Sequence, residues 1–135
     1  MAKPILYDLK EHDYMEGKQN GRMQVIQASP NCTIQYCQIR QPHDVGPHSH
    51  DYEQIVFIPE GECVFWVDGV PYELDQGCFC VVPPGAVHYL EAKSNMYCVD
   101  FDIFYPKRDD RKETPRVRDR HHANWEPLEE AVAKE

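Results

Sequence analysis

Apolar residues in this chain come in runs of about five to eight, each closed off by Gly, Pro, Asn or Asp, a rhythm that suits strands and leaves little room for helix. The runs are MQVIQA (23–28), TIQYCQI (33–39), QIVFI (54–58), CVFWV (63–67), PYEL (71–74), CFCVV (78–82) and MYCVDFDIF (96–104). They predict at least seven strands and almost no helix before residue 120. Asp68-Gly69 falls between two runs as a two-residue hairpin turn, because both central positions of a type I′ turn need positive φ. The sheet there is antiparallel. Many short strands joined by tight turns close as an antiparallel β-barrel or a double-sheet jelly roll, either of which removes or protects exposed edges. The fold class is all-β.

A chain of 135 residues with 41% hydrophobic content fills one sizeable core. The expected organisation is an N-terminal arm over 1–22, the barrel over 23–104, and a charged extension over 105–135. That extension would lie on the barrel or cross to a partner, and end in a short helix at PLEEAVAKE, with Pro127 near its first turn. Fourteen basic residues against 23 acidic ones give a net charge of -9, which repels phosphate backbones and anionic membranes, so neither nucleic acid nor membrane is an expected partner. The first residues carry no apolar signal region, and no apolar run approaches the roughly 20 residues that span a bilayer; a cytoplasmic protein is the expectation. The six cysteines sit mostly in strand-like runs and read as reduced core thiols. Cys78 and Cys80 have no second close pair to make a zinc-thiolate site.

The stretch GPHSHDYEQ (46–54) carries the chemistry. Residues two and four apart in a strand share a face, so on a β-ribbon His48, His50 and Gln54 would point one way, with Tyr52 between them as a pocket residue. Ser49, Asp51 and Glu53 would point the other way. Two imidazoles and an amide oxygen form part of a metal coordination shell, and GCFCVVPPGAVH (77–88) delivers His88 toward the same interior after a Pro-Pro-Gly turn. Glu53 is the rival to Gln54, since a bulge would exchange the two faces. His12, His43, His121 and His122 read as ordinary hydrogen-bonded histidines.

The spacing His48-x-His50-x3-Gln54-x6-Gly61, then fifteen residues, then Gly77-x5-Pro83-x-Gly85-x2-His88, resembles the two metal-binding motifs of the cupin superfamily, over about residues 40 to 105. The resemblance implies a small β-barrel holding a divalent transition metal (iron, manganese, nickel or zinc) on His48, His50, Gln54 and His88. Three positions depart from the family pattern: its usual opening glycine falls at Pro42, its usual glutamate ligand at Gln54, and an asparagine at Ala92. Within the superfamily the chain is similar to uronate-opening cupins of pectin and alginate breakdown, and the same glutamine ligand occurs in isomerases of the bacilysin pathway. In the uronate group the last barrel strand runs into Asp-hydrophobic-Phe-Ser-Pro-Pro-Arg. DIFYPKR (102–108) keeps Asp102, Phe104, Pro106 and Arg108 and departs at Tyr105 and Lys107. That likeness implies Asp102 as a general acid/base and Arg108 as the partner of a substrate carboxylate. It also implies a homodimer, with Trp125 in an arm across the interface.

Three imidazoles and an amide are all neutral, so they leave a metal's charge undiminished and favour Lewis-acid chemistry on a small oxygenated carboxylate: isomerisation, ring opening or lyase-type proton transfer. An iron-dependent dioxygenase is the second reading, because iron on histidines can still activate dioxygen. A small-molecule-binding module without turnover is the third. Asp100 and Asp102 interrupt one face of the last strand; they either face the interior, where a carboxyl must hydrogen-bond or work, or face water on the outer surface.

Overall fold

The computed structural model describes residues 3–16, 20–43 and 46–115. The expected C-terminal helix, Trp125, His121 and His122 lie outside the described residues. Among these residues nine strands form: β1 (Met15–Glu16), β2 (Gly21–Ser29), β3 (Cys32–Ile39), β4 (Glu53–Glu60), β5 (Cys63–Val67), β6 (Val70–Leu74), β7 (Phe79–Val82), β8 (His88–Ala92) and β9 (Cys98–Tyr105). The one helical turn described is 3₁₀, Leu9–Glu11. No helix among the described residues is long and apolar enough to cross a membrane. Two strands exceed the sequence expectation. β1 is too short to carry a pattern, and β8 hides behind the Pro-Pro-Gly turn, where His88 and Glu91 dilute its apolar content.

The strands make two antiparallel sheets, of order β1-β2-β3-β9-β4-β7 and β6-β5-β8, which face each other as a jelly-roll barrel. Alternation decides what goes inside. In β3 Thr33, Gln35, Cys37 and Ile39 are buried, and in β4 Gln54, Val56 and Ile58. Val56, Ile58, Phe65, Leu90 and Val82 fill the space between the sheets, each contributing about 1.5–3 kcal/mol by leaving water. The β5–β6 hairpin turns at Asp68 (φ 48°) and Gly69 (φ 79°), as the dipeptide requires. At the far end of β4, Gly61 (φ 88°) passes so near the start of β9 that a Cβ there would meet Cys98 Cα at 2.8 Å and the Tyr97 carbonyl at 2.9 Å.

The segments flanking the barrel lie against β2. Gln24 donates through Nε2 to the carbonyls of Leu9 (2.6 Å) and His12 (2.8 Å), and Thr114 N–H donates to the Val25 carbonyl (2.9 Å). The described part of the charged extension therefore lies on its own barrel. Arg108 N–H donates to Thr33 Oγ1 (2.8 Å), which fixes that arginine at one end of the sheet.

Candidate metal centre and its cavity

The β-ribbon expected through residues 48–54 does not form. His48 makes a single antiparallel bridge to His88, residues 49–50 are irregular, residues 51–52 bend, and the strand begins only at Glu53. His48 and His88 exchange backbone hydrogen bonds (3.1 and 2.8 Å), while the His50 carbonyl accepts from Gly85 N–H (2.7 Å) at the Pro-Pro-Gly turn. The two motifs are thus tied together by backbone. The register from Glu53 to Phe57 is unbroken, and the bulge of β4 comes later, between Phe57 and Glu60. Period two then sends Glu53 outward, where it is exposed, and Gln54 inward, where it is buried.

Each imidazole is oriented by a carbonyl close to it in sequence. Nδ1–H of His48 donates to Gly46 O (3.3 Å), that of His50 to Tyr52 O (2.8 Å), and that of His88 to Ala86 O (2.9 Å). A neutral imidazole bonded this way keeps its lone pair on Nε2. The Nε2 atoms of His50 and His88 each lie 3.0 Å from Gln54 Oε1. The amide cannot be turned round, because its NH₂ donates to Asp102 Oδ1 (2.8 Å). Lone pairs therefore face lone pairs. Burial pulls the His88 pKa below its ordinary value, so this ring stays neutral near pH 7 and brings no proton to the contact. A cation resolves the convergence, and 3.0 Å is about the edge between neighbouring ligands of an octahedral metal with bonds of about 2.1 Å. The donor set fits a divalent metal. His48 is the looser member: it is exposed, with its ring centroid 4.4 Å from that of His88 and 6.3 Å from that of His50.

Beyond Gln54 the polar groups continue inward. Both Asp100 and Asp102 face the interior, each about 5% exposed, so the outer-surface alternative is excluded. Burial pushes the Asp102 carboxyl up, opposed by hydrogen bonds from Asp100, Gln54 and Gln35; burial and then the Asp102 charge hold Asp100 well above the carboxylate range. Cys37 faces them across the β3–β9 pairing with its thiol 3.9 Å from Asp102 Oδ2, and burial raises that thiol as well. Among the described residues, Cys37, Asp100 and Asp102 are a set whose ligand atoms lie within 4.8 Å of one another. No spacing in the sequence pairs Cys37 with the aspartates; polar Thr33 and Gln35 on the inward face of β3 are the available signal.

The raised Asp100 value has a consequence for stability. The folded chain holds this proton from pH 3.8, the ordinary value, up to the raised one, while the unfolded chain releases it. The contribution is present below pH 3.8 and is lost as pH rises through the folded-state value. Asp100→Asn removes that loss, so in chelator-treated protein its urea midpoint relative to the parent should rise as pH is raised from 3.8 through the folded-state value. A relative midpoint that stays level or falls over that range would contradict a shared, buried proton.

These groups line a cavity of about 160 Å³, together with Phe104, Leu90, Arg108 and Arg111. A wider basin of about 580 Å³ shares His48, Arg108 and Arg111 with it and adds Tyr52. Tyr52 stacks on His50 (centroids 4.1 Å apart, planes 2° apart). Arg108 lies over the Phe104 ring (4.8 Å) and forks onto Asp110 through Nε (2.9 Å) and Nη2 (2.6 Å), so its Nη1 edge is the one Asp110 leaves. His43, read from sequence as an ordinary histidine, stands in the cavity wall. Cys63 and Cys98 are buried thiols joined by a hydrogen bond, and the described cysteines are free.

The cupin domain family matches residues 37–104. Among solved structures, KdgF from Halomonas sp. superposes with a TM-score of 0.73 at 21% identity, covering 80% of this chain and 98% of that one. An RmlC-like cupin from Shewanella frigidimarina NCIMB 400 gives 0.71 at 20% identity, over 80% of this chain and 96% of that one. At such identities the likeness is one of fold. Among curated proteins, the HTH-type transcriptional activator RhaS of Yersinia pestis (strain Pestoides F) is 36% identical over 59 residues, 43% of this chain. The match spans 22% of that protein's length.

Proposed function

The chain belongs to the cupin domain family, and from that premise we propose that it is a metal-dependent enzyme that isomerises, opens or eliminates across a small oxygenated carboxylate by proton transfer. The observation that carries this reading is the Gln54 amide, whose Oε1 converges with the bare Nε2 atoms of His50 and His88 (3.0 Å each) while its NH₂ holds Asp102 (2.8 Å). His48, His50, Gln54 and His88 would hold the metal. What the metal supplies is Lewis-acid polarisation of a substrate oxygen, undiminished by four neutral donors.

Asp102 carries or accepts the proton. Its pKa is raised by burial and moderated by three hydrogen bonds, the kind of tuning that brings a carboxyl toward working pH. Arg108 orients the substrate carboxylate with its Nη1 edge, while Asp110 and Thr33 fix the rest of the residue in place. Phe104 and Leu90 keep water from the reacting atoms.

The test is turnover of a panel of unsaturated uronates and keto acids by metal-loaded protein, followed by NMR. Asp102→Asn should lower kcat by about 10²–10⁴-fold at unchanged metal content, and Arg108→Ala should act mainly on KM. Oxygen consumption by the iron-loaded protein with substrate would favour the dioxygenase instead. The partial match to an HTH-type transcriptional activator supports a second reading, a ligand-binding module. Recovery of every panel compound unchanged, with binding measured, would favour that module over the enzyme.

A further inference from the structure

The polar chain that begins at the imidazoles ends on an atom with no partner among the described residues. Asp100 pairs with Cys37 across β3 and β9, shares the inward face of β9 with Asp102, and lines the same cavity as Gln54, His88 and Arg108. Its hydrogen bond to Asp102 uses one oxygen; the other, Oδ1, is buried and accepts nothing from the described residues. Such an acceptor is costly, and an apolar side chain on that face would avoid the cost. Asp102 is already satisfied: Gln54 donates to Oδ1 (2.8 Å), Cys37 to Oδ2 (3.9 Å), and Gln35 and Asp100 also donate to it. Gln35 is held in turn by Arg111, whose Nε donates to its Oε1 (2.9 Å). The cluster therefore presents one open acceptor rather than a cage of charged oxygens. It suits a neutral hydrogen-bond donor better than a second cation.

The cavity is thus cationic on one wall, at Arg108 and Arg111, and ends elsewhere in a lone acceptor at Asp100. We propose that Asp100 Oδ1 receives a hydroxyl of the bound molecule, so that the site selects hydroxylated acids bearing a hydroxyl away from the carboxylate held at the arginines. This rests on the carboxylate-binding reading given above and adds to it a specificity-determining residue. An analogue lacking that hydroxyl leaves Oδ1 unpaired, and discrimination by a polar group stranded in this way is stronger than discrimination by fit alone.

Calorimetric titration of the metal-loaded protein with D-galacturonate, its singly deoxygenated analogues and the neutral methyl galactoside tests this. In the parent, one deoxy analogue should bind about tenfold more weakly than galacturonate. Asp100→Leu should lose about the same factor for galacturonate and nothing further for that analogue. Asp100→Asn should keep the discrimination, since its NH₂ can donate to Asp102 and leave Oδ1 as the acceptor. The proposal is overturned if Asp100→Leu binds galacturonate as the parent does, or loses galacturonate and every deoxy analogue by the same factor. If the neutral galactoside binds as well as galacturonate, the carboxylate reading fails while the hydroxyl subsite stands or falls on the same substitution cycle. If the parent binds none of these compounds, both are overturned.

Discussion

Elemental analysis of the His48→Ala/His88→Ala double variant should find less than about a tenth of the transition metal that the parent retains through dialysis. His88 is 1% exposed, its ring is fixed by the Ala86 carbonyl, and its Nε2 lies 3.0 Å from Gln54 Oε1. His48 is joined to it by a backbone bridge and lines both the cavity and the wider basin. Removing both leaves His50 and one amide oxygen, too few donors to compete with water for a divalent ion. Circular dichroism in excess chelator provides the control, because both metal-free proteins should retain the same β spectrum. Metal retained at the parental ratio would sink the four-donor assignment and shift attention to Cys37, Asp100 and Asp102.

The second large effect is on stability. Gly61→Ala should cost about 3 kcal/mol and lower Tm by roughly 10 °C. The residue has φ 88°, where an alanine is strained, and its added Cβ would meet backbone atoms of Tyr97 and Cys98 below 3.0 Å. Backbone cannot swing aside as a side chain tip can, so β9 must shift. That strand carries Asp100 and Asp102, and metal affinity should weaken along with Tm. Thermal denaturation within about 2 °C of the parent would mean that the turn relaxes more freely than its geometry implies.

Much of this fold was legible in the alternation of apolar residues. QIVFI and CVFWV announce strands because their buried positions recur every second residue, and Asp68-Gly69 announces its hairpin because few other residues accept positive φ. Period two does not carry across the bend at residues 51–52. His48 and His50 do reach the same site, but through a bridge to His88 and an irregular turn rather than through a shared strand face. The cavity floor was harder still. Alternation says that Gln35 and Cys37 face inward, yet only the β3–β9 register brings them opposite Asp102 and Asp100. Register between strands distant in sequence is set by closure of the whole barrel, and no local pattern encodes it.

The three imidazoles take their orientation from the carbonyls of Gly46, Tyr52 and Ala86, and carbonyls survive any side-chain replacement. The orientation of the three rings is therefore uncoupled from the side chains around them. Met23, Ile39 and Leu90 can be exchanged to admit a different molecule without disturbing which nitrogen of each ring is bare. A barrel organised in this way is well suited to retraining: libraries confined to the lining can explore new ligands while the donors keep their protonation pattern.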